Sequence, residues 1–301
     1  MISTASVTVV YEPDAERLER QLEAIQSQVD LILLVVNGGY DQLGFDLDRY
    51  RYSTPIKIVT LGNNLGIAAA INRGIEECKL IGVHYSLLLD QDSIPAPNLV
   101  HRLRAGLVRA ASNVAAAGPR IIDHGCESRS VFSALDKRQQ ASHADDGAAK
   151  SDDQFVDFLI TSGTLLKVEA INVIGLMEEA LFIDSVDFEW CFRARSLGFK
   201  LLVVNEAILD HQRGAVIYPV RLKIFPLRWH SPFRQYFIMR NRLTLYGRPY
   251  VPISWKLKDF PRMVVKVLVY IVLVPPRIEN LKAIIRGFVD ALNGRLGPNQ
   301  S

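Results

Sequence analysis

Asp90 and Asp92 follow the apolar run Leu87-Leu88-Leu89 with one residue between them. On an extended segment residues two apart face the same way, so both carboxylates can join one ligand complex. A carboxylate pair plus substrate phosphates is the usual way to hold magnesium or manganese. The ion would act as a Lewis acid for a phosphate leaving group. The plainer reading is aspartate as turn or cap chemistry at a strand end. A second acidic cluster runs Asp184-Ser185-Val186-Asp187-Phe188-Glu189, with Arg193 four residues on. Asp187 falls where a helix over 186–197 is expected to start, and the helix dipole stabilises a carboxylate there. Capping alone would explain it. Three acids among Phe182, Ile183, Val186, Phe188 and Trp190 are nevertheless expected to be partly desolvated, which suits a general base of raised pKa.

His211 lies just past an expected strand over 200–204. It reads either as a structural histidine or as a neutral imidazole completing the shell of an aspartate-bound cation. The loop Gly62-Asn63-Asn64-Leu65-Gly66 precedes a helix and permits tight turns or a close backbone approach. It is not a Walker loop, and no GxGxxG follows the first strand. Both facts argue against a P-loop enzyme or a dinucleotide dehydrogenase.

These residues need a scaffold, and the hydrophobic pattern supplies one. Strands are expected over 6–11, 31–36, 56–60 and 85–89, alternating with helices over 13–28 and 67–78. Strands lacking polar alternation are buried on both faces, and this alternation of strands with helices implies a mostly parallel α/β sheet flanked by helices. Ligands of such sheets bind at the carboxyl ends of the strands, where Tyr11, Asn37, Asp90 and Asp92 fall. Further elements are expected at 155–161 (strand), 168–174 (helix), 186–197 (helix) and 200–204 (strand). The polar stretch from Asp123 to Asp153 reads as one long loop, functional or disordered.

The chain has 301 residues and a mass of 33.8 kDa, enough for one large domain or two ordinary ones. With 49% hydrophobic and 22% charged residues, it is not disordered throughout. Cys78, Cys126 and Cys191 form no CxxC pair and are too scattered for a disulfide framework, so a reduced compartment is expected. The first residues lack the basic segment and apolar core of a signal peptide. The longest apolar run, Val267 to Val274, is 8 residues against the ~20 that span a bilayer. The net charge of +3 conceals a division. Residues 1–218 carry −9, whereas residues 219–301 carry +12 with only Asp259, Glu279 and Asp290 as acids. The sequence therefore divides into a domain at 1–218 and a basic, aromatic region at 219–301, with helices expected at 231–247, 260–274 and 277–293. Such helices suit a membrane interface, or they pack on the core and merely show a basic face.

Taken in chain order, these elements resemble the inverting family 2 glycosyltransferases of GT-A fold, in particular the bacterial rhamnosyltransferases. The resemblance rests on Asn63-Asn64-Leu65-Gly66 through Asn72-Arg73-Gly74, on Leu88-Leu89-Asp90-Gln91-Asp92-Ser93, and on Phe182-Ile183-Asp184 through Trp190-Cys191-Phe192-Arg193. The tail from Ser231 to Asn241 and from Gly287 to Asp290 is similar to the same subgroup. The resemblance implies that Tyr11 and Glu12 line the nucleotide-base pocket and that Asn37, Asn63 and Gly66 belong to the donor side. It places Asp90 near ribose and diphosphate, Asp92 on a divalent cation (Mg²⁺ or Mn²⁺) with His211 as a further ligand, and Ser162-Gly163 on the wall of the sugar pocket. Asp187 becomes the base that deprotonates the acceptor hydroxyl, with Glu189, Trp190 and Arg193 on the acceptor side. One position departs from the family: Val36 stands before Asn37 where an aspartate commonly bonds the base. Asp41 is close in sequence, and donor choice is left to pocket shape.

The resemblance thus implies a metal-dependent transferase moving L-rhamnose from dTDP-rhamnose to a lipid-linked glycan acceptor of O-antigen, capsule or another surface polysaccharide. It would work peripherally on the cytosolic face of the membrane through its C-terminal region. The alternatives are a family 2 enzyme using a UDP-hexose or UDP-galactofuranose, and a catalytically silent glycan- or lipid-binding relative. Nucleic acid is not expected as a partner, because the apolar runs of the tail fit lipid better.

Overall fold

The computed structural model of the chain describes residues 3–43, 52–122, 153–211, 216–217 and 227–299. The expected long loop at 123–153 lies outside them except for Asp153, as does Cys126. The core is one mixed sheet. Strands β1 (Thr4–Val10), β2 (Leu31–Val36), β3 (Ile56–Thr60) and β4 (Tyr85–Asp90) pair in parallel in the order β3-β2-β1-β4. Beyond β4 lie β8 (Leu165–Lys167, antiparallel), β6 (Val114–Ile122), β9 (Lys200–His211, parallel to β6) and β5 (Ser93–Pro95, antiparallel to β9). β7 (Gln154–Phe155) pairs with the first half of β9, on the edge away from β6 where β5 takes the second half. A separate ribbon pairs β10 (Val216–Ile217) with β11 (Leu227–Arg228).

Two apolar layers explain the unbroken strands. Leu31, Leu33 and Val35 face helix α2 (Ile67–Ile81), α4 (Val168–Ile174) and α5 (Val186–Ser196) on one side. Ile32, Leu34 and Val36 face α1 (Ala15–Ile25) and α3 (Leu99–Arg109) on the other. Residues that alternate along a strand point to opposite faces, so an apolar run with helices above and below has no polar position to fill. The strand expected over 155–161 is limited to Gln154–Phe155, and the chain from there runs irregularly to β8. The strand expected at 200–204 continues to His211, because β5 pairs with its second half.

Three helices follow: α6 (Pro232–Gly247), α7 (Ile253–Leu273) and α8 (Arg277–Leu292). α7 begins seven residues before the expected 260 and carries Pro261 inside it. As the ninth residue of the helix, Pro261 has no amide hydrogen to donate to the Leu257 carbonyl, so one rung of the helical hydrogen-bond ladder is missing there. α8 lies against α6 at close range. A Cβ at Gly287 would stand 2.4 Å from the Tyr236 carbonyl oxygen, and the Tyr236 hydroxyl donates to Asp290 at 2.9 Å. No helix among the described residues is long and apolar enough to cross a membrane. Yet α7 exposes Ile253, Leu257, Phe260, Val264, Leu268 and Val272, and α8 exposes Ile278, Leu281, Ile285, Phe288 and Leu292. Their spacing of three and four puts each set on one helical face. Exposed Lys258, Arg262, Arg277, Lys282 and Arg286 lie around them.

Candidate active site

The site forms at the carboxyl ends of β1, β2 and β4. Gln91, between the paired acids, receives the Tyr11 amide on Oε1 at 2.8 Å and donates from Nε2 to the Tyr11 carbonyl at 3.1 Å. It thereby ties the end of β1 to the end of β4, with Tyr11 partly exposed beside Glu12 at φ 45°. Beneath this turn lies a polar network that sequence reasoning missed. Gln21 donates from Nε2 to the carbonyls of Asp90 and Ser93 (2.8 Å for Ser93) while its Oε1 accepts from the Thr8 hydroxyl at 3.1 Å. Ser162 accepts the Asp90 amide at 3.1 Å and shares a 2.6 Å hydrogen bond with Ser93. The Arg17 Nε donates to the Asp92 carbonyl at 2.7 Å. The signal in the sequence was Gln21 itself: a glutamine on the helix face that otherwise carries Leu18, Leu22 and Ile25 is buried, and buried polar groups are hydrogen-bonded.

β5 pairs with β9 so that Ser93 stands opposite His211, which brings the His211 backbone within one residue of Asp92. The His211 side chain lies outside the described residues. Asp90 and Asp92 are hard oxygen donors of the type magnesium and manganese take. Among the described residues no three His, Cys, Asp or Glu side chains converge on one point.

On the donor side, Asn37 is buried and holds the glycine–asparagine loop. Its Nδ2 donates to Asn64 Oδ1 at 3.0 Å, and its Oδ1 accepts the Leu65 amide at 2.9 Å. Asn64 Oδ1 also takes the Gly66 amide at 3.0 Å, while Asn63 is exposed. The first amides of α2 are committed within the protein. Ile67 and Ala68 donate to the Phe182 carbonyl at 2.8 and 3.5 Å. Gly66 stands at φ 90°, and a Cβ there would lie 2.6 Å from that carbonyl oxygen. The glycine thus serves a close approach to Phe182; the helix end is not presented to a phosphate. Gly163 at φ 82° donates to the Leu88 carbonyl at 2.7 Å and leads into β8 beside the buried Ser162.

Asp187 sits in the first turn of α5, and its Oδ1 accepts the Phe188 amide at 2.8 Å. Burial, with the nearby charges of Asp184 and Asp90, pushes its carboxyl up to about 6, against the pull of that amide and of Arg242. Asp90 and Asp187 therefore share one electrostatic environment although they lie 97 residues apart in sequence. The three residues expected on the acceptor side are placed differently. Glu189 is 1% exposed. It pairs with Arg193 at 2.8 and 2.9 Å and accepts from the Tyr250 hydroxyl at 2.8 Å. Trp190 is buried and donates to the Gly175 carbonyl at 3.0 Å, and Arg193 donates to the Ile174 and Leu176 carbonyls. These side chains anchor α5 to its neighbours inside the protein, so their contacts position Asp187 and leave no face for an acceptor on Glu189 or Trp190.

The segment leading to Asp187 is bent. Phe182 has φ 64° and ψ −66°. With the Ile183 amide on the Leu181 carbonyl at 2.8 Å, this is the strained form of the γ-turn. Asp184 and Ser185 also have positive φ, at 62° and 65°. Helix α6 grips this segment. The Asn241 side-chain amide meets the carbonyls of Leu181, Ile183 and Asp184 at 2.9, 2.7 and 2.8 Å. Arg240 donates to Leu181 at 3.1 Å and to Gly297 at 2.6 Å, and its Nε fixes Asn241 Oδ1 at 2.9 Å. Arg234 makes a forked pair with Asp184 at 2.6 and 3.1 Å.

The mostly parallel sheet flanked by helices, with the DxD turn at the end of β4, has the GT-A fold of solved glycosyltransferases. A model of the family described as glycosyl transferase family 2 matches residues 6–173, and the chain belongs to that family and is a glycosyltransferase. A curated relative, the dTDP-rhamnosyl transferase RfbF of Shigella flexneri, is 26% identical over 295 residues, 97% of this chain and 96% of its own. Among solved structures, S. aureus TarS 1-349 in complex with UDP-GlcNAc aligns with 98% of this chain and 93% of its own at TM-score 0.54 and 12% identity. GalNAc-T7 with UDP, GalNAc and Mn²⁺ aligns at TM-score 0.60 and 17% identity, over 87% of this chain but 54% of its own.

A raised carboxyl predicts the pH dependence. If Asp187 is the base, kcat/KM climbs with pH up to about 6 and levels off above it; a profile with no break in that region removes Asp187 from the role. Between 3.8 and about 6 the folded state binds the proton more tightly than the unfolded chain, so stability falls as pH rises through this window. Asp187→Asn is accordingly expected to be inactive yet no less stable than the wild type in thermal denaturation at pH 7.

Proposed function

We propose that this glycosyltransferase moves L-rhamnose from dTDP-rhamnose to a lipid-linked glycan during assembly of a cell-surface polysaccharide such as O-antigen or capsule. The observation that carries the donor is the end-to-end similarity to a dTDP-rhamnosyl transferase. Asp187 supports the chemistry: a desolvated carboxylate takes the acceptor hydroxyl proton as the oxygen attacks the anomeric carbon. A single displacement with one base inverts that centre. Asp92 and His211 would hold a divalent cation, Mg²⁺ or Mn²⁺, which when bound neutralises the diphosphate of the leaving nucleotide, with Asp90 beside the ribose and diphosphate. Tyr11, Glu12, Asn63 and Gly66 would border the nucleotide, and Ser162 and Gly163 the sugar.

A second reading, the same chemistry with a UDP-sugar, is favoured by one position. Val36 is fully buried at the end of β2 and offers the base no carboxylate. A panel of dTDP-rhamnose, UDP-glucose, UDP-galactose and UDP-galactofuranose decides, titrated with Mg²⁺, with Mn²⁺ and with EDTA. Metal-dependent preference for dTDP-rhamnose, lost in Asp92→Ala, is expected. Preference for a UDP-sugar would contradict the donor, and unchanged affinity in Asp92→Ala or EDTA would contradict the metal.

The exposed apolar faces of α7 and α8, set among exposed lysines and arginines, support peripheral attachment to the cytosolic face of an anionic membrane. Co-sedimentation with vesicles containing an anionic lipid is expected and should be lost in Leu257→Glu/Leu268→Glu. Binding unchanged by that pair, or dimerisation through these faces without vesicle binding, would contradict the attachment.

A further inference from the structure

Helix α1 packs on the sheet through Leu18, Leu22 and Ile25, against a layer that includes Ile32, Leu34, Val36, Leu87 and Leu89. Two polar side chains interrupt this apolar interface. Gln21 and Thr8 are both fully buried, and Thr8 stands in register between Leu34 and Leu89. They meet each other, the Thr8 hydroxyl donating to Gln21 Oε1 at 3.1 Å. A buried amide is costly unless its hydrogen bonds are made, and the other bonds of Gln21 are made outside the interface. Its Nε2 donates to the turn between β4 and β5, at the Asp90 carbonyl and at the Ser93 carbonyl (2.8 Å for Ser93).

We propose that Gln21 is the positioning residue of the aspartate turn and sets how Asp90 and Asp92 are presented to the cation and diphosphate, an inference that rests on the cation of the proposed function. Two carbonyls three residues apart converge on one nitrogen. The width of the turn is thereby fixed from inside α1, and Asp92 lies within the span. Strand pairing does not fix it: β4 pairs with β1 only as far as Asp90, and β5 begins at Ser93 against β9. Arg17 lies four residues before Gln21, hence on the same face of α1, and its Nε takes the Asp92 carbonyl at 2.7 Å. Ser162 holds the Asp90 amide at 3.1 Å and the Ser93 hydroxyl at 2.6 Å. The main chain from Asp90 to Ser93 is thus shaped by side chains of α1 and of the segment before β8, and the two carboxylates are placed before a ligand arrives. Thr8 sets the orientation of the amide. A flipped Gln21 would lose the Thr8 hydroxyl bond to Oε1 and turn that oxygen against the two carbonyl oxygens.

Calorimetry on the full chain with dTDP and with UDP, each in Mn²⁺ and in EDTA, tests this. In the wild type Mn²⁺ is expected to tighten nucleotide binding. Gln21→Met keeps the volume and the helix and removes the amide. It should weaken binding in Mn²⁺ roughly tenfold or more, the scale on which groups behind metal ligands act, and leave binding in EDTA unchanged. Thr8→Val should shift the same quantity in the same direction and Thr8→Ser should restore it, which keeps the test in hand where Gln21→Met folds poorly. Leu22→Ala opens a cavity on the same buried face of α1; it should lower the melting temperature and keep the Mn²⁺ gain. A gain retained in both Gln21→Met and Thr8→Val would overturn the role of Gln21. An equal loss in EDTA would assign it to the nucleotide pocket instead, and a matching loss in Leu22→Ala would reduce it to a packing residue. A wild type that gains nothing from Mn²⁺ would sink the cation of the proposed function and this role with it, an outcome visible before any variant is made.

Discussion

The site depends on the grip of Arg240 and Asn241 on the backbone between Ala180 and Asp184. Phe182, Asp184 and, just beyond, Ser185 hold positive φ, and each such conformation costs on the order of 1–3 kcal/mol. It persists only where the surroundings over-determine it. One asparagine amide meets three carbonyls, and the adjacent guanidinium fixes its orientation and adds contacts of its own. On the opposite side the Phe182 carbonyl is held by the first amides of α2, with Gly66 leaving room for it, and the Phe182 ring stacks on Phe237 at 5.0 Å. The bend is therefore clamped between a helix of the sheet domain and a helix of the basic C-terminal region. Its product is the start of α5 and the placement of Asp187.

The C-terminal helices accordingly do more than face outward. α6 holds the acidic segment, α8 braces α6 through Gly287 and Asp290, and the turn after α6 reaches α5 through Tyr250 on Glu189 and the segment before α5 through Arg248 on Glu178. Their outer surfaces carry the exposed apolar stripes. The helices that hold the start of α5 and Asp187 are thus continuous with those that carry the exposed apolar faces.

Much of this was legible in the sequence. The four parallel strands, α2, α4 and α5 were marked by apolar runs or by periodicity, and Asp90, Asp92 and Asp187 by acids set against apolar residues. What escaped shares a physical character. β5 and β8 have three residues each and exist only because neighbouring strands pair with them. Gln21 and Ser93 act by hydrogen-bonding the turn between β4 and β5 across long sequence separations, and Ser162, named from the sequence only for a sugar-pocket wall, binds the same turn. Glu189 and Arg193 look like site residues in sequence because they are charged and close to Asp187, yet they satisfy each other in the interior. Arg240 and Asn241 stood out as motif residues, but nothing local to them says that their partners are the carbonyls near residue 182.

The most direct measurement compares Asn241→Ala with the wild type for kcat, for metal-dependent donor binding and for thermal unfolding. The clamp predicts a kcat lower by about 10²-fold, the scale of a misplaced catalytic group, with donor affinity largely retained and the unfolding transition lowered, because three carbonyls lose their buried donor. Full turnover in Asn241→Ala would contradict the account and leave the bend before Asp187 to be held by other contacts.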